Sequence, residues 1–208
     1  MKQLCVFDFD GVIADSLDVY RNLYVKAFEM EKLKFPLEAV EDFRAQYDSA
    51  WENNFTRFGI PAHKVPGILE SLDGMISYAT VQAFQGIGTV LKHCAERAEL
   101  GILSSTEASL IEQFLDRHGW LAYFKQISGG DGKSAKAERL KELLRNFGVT
   151  PEAAVMIGDT SMDIRSGKMV GTATLGVTYG WYDAGRIAAE TPTYIAHQPG
   201  EILQIWER

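Results

Sequence analysis

Four short stretches place acidic, hydroxyl and lysyl side chains where apolar runs end. In Leu4-Cys5-Val6-Phe7-Asp8-Phe9-Asp10-Gly11 an apolar run gives way to two aspartates two positions apart, then a glycine. Successive side chains of a strand alternate faces, so Asp8 and Asp10 are expected to point the same way where a buried strand leaves its sheet. Ligands collect at such strand ends in open α/β sheets. Two carboxylates held close repel one another, and a divalent cation relieves them. Ser104 and Ser105 follow the apolar run Leu100-Gly101-Ile102-Leu103, and Glu107 stands three residues beyond Ser104. That spacing predicts a capping-box helix start, whose free N–H groups and hydroxyl suit an anion. Gly158-Asp159-Thr160-Ser161-Met162-Asp163 follows Ala153-Ala154-Val155-Met156-Ile157. Asp159 at the strand end and Asp163 one helical turn later can face one point. Joined to Asp8 and Asp10, they supply enough hard oxygen ligands for Mg²⁺, which needs only a few carboxylates plus phosphate and water. Lys136 lies in Asp131-Gly132-Lys133-Ser134-Ala135-Lys136, the start of a helix expected over 134–147. A helix dipole offers a cation nothing there, so another partner is expected. Each stretch alone has an ordinary structural reading, such as an acidic turn, a helix cap or a solvated lysine.

Taken together, Asp8-Phe9-Asp10-Gly11-Val12-Ile13-Ala14-Asp15-Ser16, Ser104-Ser105, Lys136 and Gly158-Asp159-Thr160-Ser161-Met162-Asp163 resemble the haloacid dehalogenase superfamily, and most of all its phosphoglycolate-phosphatase-type branch. All four motifs occur in order, and the similarity covers essentially the whole chain. The resemblance implies a Mg²⁺-dependent phosphatase that hydrolyses a small phosphorylated metabolite through an aspartyl-phosphate. It implies Asp8 as nucleophile and metal ligand, and Asp10 as a general acid/base that also offers its backbone carbonyl to the metal. Ser104, with Ser105 beside it, and Lys136 would bind the phosphoryl group, and Asp159 the metal. Asp163 would reach the metal through water or steady Lys136. The family spacing selects Lys136, about twelve residues before Gly148, and leaves Lys133 in reserve. The presence of Asp10 favours phosphate esters, whose leaving group needs a proton, over carbon–halogen or carbon–phosphorus bonds. A β-phosphoglucomutase-like phosphotransferase is the runner-up. A receiver-like or catalytically silent phosphate-binding module is the reading from a different class.

The elements that must position these residues follow from periodicity. Leu17, Tyr20, Leu23, Tyr24, Ala27 and Phe28 recur at helical spacing and predict a helix over 16–31. Further helices are expected over 37–58 and 64–83, so about 70 helical residues separate the first strand from the next, at 99–103. This predicts an α-helical cap domain over 16–83, inserted into a core made of 1–15 and 84–208. Within it Arg44, Trp51, Asn53, Asn54, Arg57, His63 and Lys64 are the residues that could touch a substrate, although a packed or solvated role is expected of each. Beyond the insert, helix 86–97, strand 99–103, helix 106–118, strand 124–128, helix 134–147, strand 153–158, helix 161–169 and strand 172–178 alternate. A short helix, an edge strand at 193–196 and a last helix are expected to follow. Such alternation specifies an α/β fold, a Rossmann-like doubly wound parallel sheet.

Composition agrees. With 46% hydrophobic and 24% charged residues over 208 positions, the chain can bury a full core. Its net charge of −7 argues against a nucleic-acid surface. No signal-peptide pattern and no apolar run of about 18 residues is visible, so a cytoplasmic protein without a membrane partner is expected. Cys5 and Cys94 are expected to be buried thiols rather than a disulfide framework.

Overall fold

The computed structural model describes residues 3–130 and 134–206. In chain order, strands β1 (Leu4–Phe7) and β2 (Ala14–Asp15) precede helices α1 (Leu17–Met30), α2 (Val40–Gln46), α3 (Asn53–Phe58) and α4 (Val65–Leu72). The chain returns through β3 (Gln82–Ala83), α5 (Ile87–Ala95), β4 (Glu99–Leu103), α6 (Ala108–Arg117), β5 (Phe124–Ser128), α7 (Lys136–Phe147) and β6 (Ala154–Gly158). It ends with α8 (Ser161–Val170), β7 (Ala173–Val177), α9 (Ala184–Ala189), β8 (Tyr194–Ala196) and a 3-10 stretch, Pro199–Trp206. Two compact units result: one runs to Asp15 and resumes at Gln82, and the other is Ser16–Val81.

The first unit is a six-stranded sheet in the order β5-β4-β1-β6-β7-β8, parallel throughout. Numbered as successive strands of this sheet, that order is 3-2-1-4-5-6, the doubly wound arrangement whose order reverses at the first strand. The sequence expectation of a parallel α/β sheet therefore holds. Apolar runs in β1, β4 and β6 are what a sheet covered on both faces requires, and nearly every residue in them is buried. Leu4 and Val6 point to one face, where they pack with Leu140, Leu143 and Leu144 of α7 and Met156 of β6. On the other face Phe7 meets Phe124 edge-on, and just past the strand Phe9 meets Phe114 of α6 with ring centroids 5.1 Å apart. Parallel register sets Phe7 level with Ile102 and Ile157, so β1, β4 and β6 deliver their next residues to one rim.

The second unit is held by aromatic rings: Tyr24 lies 4.7 Å from Phe55, and 5.5 Å from both Phe43 and Phe58. Large rings suit a unit this small, which has little other volume to bury. The helix expected over 37–58 is broken into α2 and α3. The Asp48 carboxylate accepts the Ala50 N–H at 2.9 Å, and buried Asn54 bonds both the N–H and the carbonyl of Asp48. Such side-chain bonds outcompete the helix ladder locally. They also commit Asn54 to internal structure. Of the one or two helices expected over 64–83, α4 forms and stops at Leu72, where Asp73 turns extended and Gly74 takes a φ of 71°. Gln82 and Ala83, expected in the insert, instead pair with Ala14 and Asp15 as a ribbon of the first unit.

Candidate active site

The rim of the sheet collects the acidic residues. Asp8 continues the face of Leu4 and Val6 and so points toward α7, whose first residue is Lys136. The Lys136 ammonium donates to Asp8 Oδ2 at 2.7 Å and lies 2.5 Å from Asp163 Oδ1. Asp8, Asp159 and Asp163 are all buried, with one carboxylate oxygen of each within 4.8 Å of the others. Three carboxylates against one ammonium leave two negative charges uncompensated if all ionise.

Each side chain is pinned by its own element. Asp163, at the third position of α8, accepts the Thr160 N–H and hydroxyl through Oδ2 at 2.9 and 2.7 Å, closing a capping box. Asp159 Oδ2 accepts the Trp181 N–H at 2.7 Å. Two glycines keep room for that carboxylate. A Cβ on Gly11 would stand 1.9 Å from Asp159 Oδ2, at a φ of 73° that also favours glycine, and one on Gly180 would stand 2.5 Å from the same oxygen.

The electrostatics follow from this crowding. Burial, reinforced by the charges of Asp163 and Asp8, holds the Asp159 carboxyl well above the usual carboxylate range. Asp8 is pushed up to about 8 by burial against the opposing pull of Lys136, with Asp163 and Asp10 adding to the rise. Burial alone would raise Asp163 too, but the Lys136 ammonium and the Thr160 bonds hold it low. Burial alone would lower Lys136, yet the Asp163 and Asp8 charges raise it. A divalent cation, which favours ionised carboxylates, would remove the strain on Asp8 and Asp159.

The residues singled out in the sequence are not all brought to one point. Asp8, Asp159, Asp163 and Lys136 converge. Asp10 lies past the end of the strand at Phe7, in a turn where the Phe9 carbonyl accepts the N–H groups of Ile13 and Ala14, and its charge still acts on Asp8. The Asp10 carboxylate bonds to the Thr106 hydroxyl, and its backbone bridges to Ala14. Ser104 is buried at the end of β4, whereas Ser105 is exposed. The capping box expected from Ser104 and Glu107 does not form: α6 begins only at Ala108, and Ser104 Oγ accepts the Thr106 N–H at 3.1 Å. Lys133 lies outside the described residues. Thr106, Trp181, Gly180 and Arg139 were not singled out in the sequence. Thr106 carried a signal, since it stands two residues past Ser104 at a strand end. Trp181 arrives from a loop beyond β7, and no spacing in the sequence announces it.

The chain was compared with known proteins. It is 26% identical over 207 residues to a phosphoglycolate phosphatase from Synechococcus elongatus, covering 97% of this chain and 96% of that one. It is 25% identical over 216 residues to a phosphoglycolate phosphatase from Psychrobacter arcticus, covering 92% and 90%. Among solved structures, a haloacid dehalogenase-like family hydrolase from Streptococcus pneumoniae superposes with a TM-score of 0.89 at 22% identity, over 99% of this chain and 98% of that one. The sequence pattern of one family matches residues 5–177, which run from β1 through β7 and include every residue of the acidic cluster and Lys136. The chain belongs to the haloacid dehalogenase-like hydrolases.

Proposed function

We propose that the protein is a Mg²⁺-dependent phosphatase that hydrolyses a small phosphomonoester through an aspartyl-phosphate on Asp8. The observation that carries this reading is the Lys136 ammonium set between Asp8 and Asp163, beside Asp159, at the reversal point of a parallel sheet. The donor set fits Mg²⁺: hard, anionic oxygens in surplus over the cation present, on buried groups that resist ionising without one. Asp8 and Asp159 would hold the ion, with the Asp10 backbone carbonyl. Asp163, whose oxygens face Thr160 and Lys136, would chiefly steady the lysine, or bind the ion through water. Bound there, Mg²⁺ would offset the charge of the transferring group.

The chain's own residues account for the two displacements. An Asp8 carboxylate oxygen attacks phosphorus, and the ester P–O bond breaks as Asp10 gives its proton to the departing oxygen. Asp10, now a carboxylate, takes a proton from a water whose oxygen attacks the aspartyl-phosphate, so inorganic phosphate leaves and Asp8 is restored. Lys136, the Ser104 hydroxyl and the N–H groups after β4 hold the phosphoryl oxygens, with Ser105 at their edge. The two relatives named above support phosphoglycolate as the first ester to try. We assign the helical unit, Ser16–Val81, the selection of the substrate, and read the protein as a cytoplasmic enzyme of small metabolites, acting on neither nucleic acid nor membrane.

Phosphate release from phosphoglycolate and a panel of small phosphomonoesters tests the reading. Turnover should vanish with a chelator and return with excess Mg²⁺, while Ca²⁺, with its larger and looser shell, should substitute poorly. Undiminished turnover in a demetallated sample contradicts it.

A further inference from the structure

We infer that Thr106 is a positioning residue that ties the general acid/base to the phosphate-binding hydroxyl; the inference rests on the phosphatase reading above. Thr106 sits between β4 and α6 and is 4% exposed. All three of its polar groups are engaged. Its N–H donates to Ser104 Oγ at 3.1 Å, its carbonyl accepts the Gly130 N–H at 2.9 Å, and its hydroxyl donates to Asp10 Oδ2 at 2.5 Å. The backbone is thus anchored to the ends of both β4 and β5 before the side chain reaches Asp10, and a β-branched residue adds a stiff χ1.

Two consequences follow. A short hydroxyl-to-carboxylate bond belongs to the strong class of hydrogen bonds, and it fixes the orientation of the Asp10 carboxylate that exchanges protons with the leaving group and the water. Ser104 Oγ, accepting from the Thr106 N–H, keeps its own proton to donate, as a phosphoryl oxygen requires. Thr106 therefore touches no reacting atom. It sets the direction of one group that moves a proton and the donor polarity of another.

Thr106→Val exchanges the hydroxyl for a methyl of similar volume and keeps the N–H to Ser104. Its effect should fall on proton transfer alone. With an aryl phosphate, whose leaving group needs little protonation, the burst of phenolate should keep its wild-type rate while steady turnover drops about 10- to 100-fold, part of the range for general acid/base help. With an alkyl phosphate, phosphorylation itself should slow by a similar factor. Inhibition by inorganic phosphate should stay within about twofold of wild type, because the Ser104 contact runs through the backbone. Thr106→Ser should restore both rates. Should the valine variant fail to unfold cooperatively, Thr106→Ala removes the same hydroxyl and must show the same pattern. Burst and steady rates that fall together, wild-type kinetics in the valine variant, or a serine variant no better than valine would each overturn the role of Thr106 while leaving a working phosphatase. A wild-type protein that releases phosphate from no ester would overturn the phosphatase reading, and this inference with it.

Discussion

At the scale of single residues, the site stores electrostatic strain that has a sign. Asp8 is raised from its ordinary value to about 8, and Asp159 is raised as well, so between about pH 4 and 8 the folded state holds more protons than the unfolded chain. Stability must then fall as pH rises through that window. Lys136, raised, loses its contribution only in the alkaline range, and Asp163, lowered, loses its own only at strongly acidic pH. The metal-free protein should therefore melt at progressively lower temperature from pH 5 to pH 8, measured by calorimetry in chelator. Added Mg²⁺ should raise the melting point most at pH 8, where its ligands are ionised. Flat metal-free melting across the window would contradict the raised carboxyls. These residues were legible in the sequence because each stands where an apolar run ends or a helix begins. The turn that carries Asp10 was not: alternation along a strand assumes the strand continues, and it stops at Phe7. Nor were Thr106 and Trp181 legible as partners of Asp10 and Asp159, since those contacts cross 96 and 22 residues of sequence.

Among the elements, one buried side chain holds two strand ends in place. The Arg139 guanidinium of α7 donates to the carbonyls of Ser104, Ser128 and Gly129, tying the rim of β4 to that of β5. Charged donors on several buried carbonyls are worth more than an ordinary hydrogen bond, and removing them leaves acceptors unsatisfied. Arg139→Met should cost about 2–4 kcal/mol in urea unfolding and weaken inhibition by inorganic phosphate, because Ser104 loses its support. A loss below about 0.5 kcal/mol would mean water replaces the guanidinium without penalty. The order of the six sheet strands and the helices between them could be read from periodicity alone, because a sheet buried on both faces demands apolar runs, whereas the short β2–β3 ribbon could not. The helices of the second unit could not, because Asp48, Asn54 and Gly74 end them through local bonds and backbone shape that apolar spacing does not encode.

For the whole molecule, the helical unit is an insertion whose ends are already joined. Asp15 and Gln82, its flanking residues, are direct partners in the β2–β3 ribbon, so a two-residue Asn-Gly turn can replace Ser16–Val81 without moving either strand. The shortened protein should unfold cooperatively and retain turnover of an aryl phosphate, while kcat/KM for its best small phosphomonoester falls by at least about 100-fold, the expected result if remote contacts supply specificity. Equal loss on both substrates would make the insert merely structural. The claim that joins the acidic cluster, the sheet and the insert into one enzyme is covalent phosphorylation of Asp8, and the intact mass of the protein reports it most directly. In Asp10→Asn, mixed with an aryl phosphate and quenched in acid, the second displacement is slowed and a mass of about 80 Da, that of HPO₃, should accumulate on Asp8. Asp8→Asn should gain nothing. Label on Asp8→Asn, or on any residue other than Asp8, would contradict the mechanism.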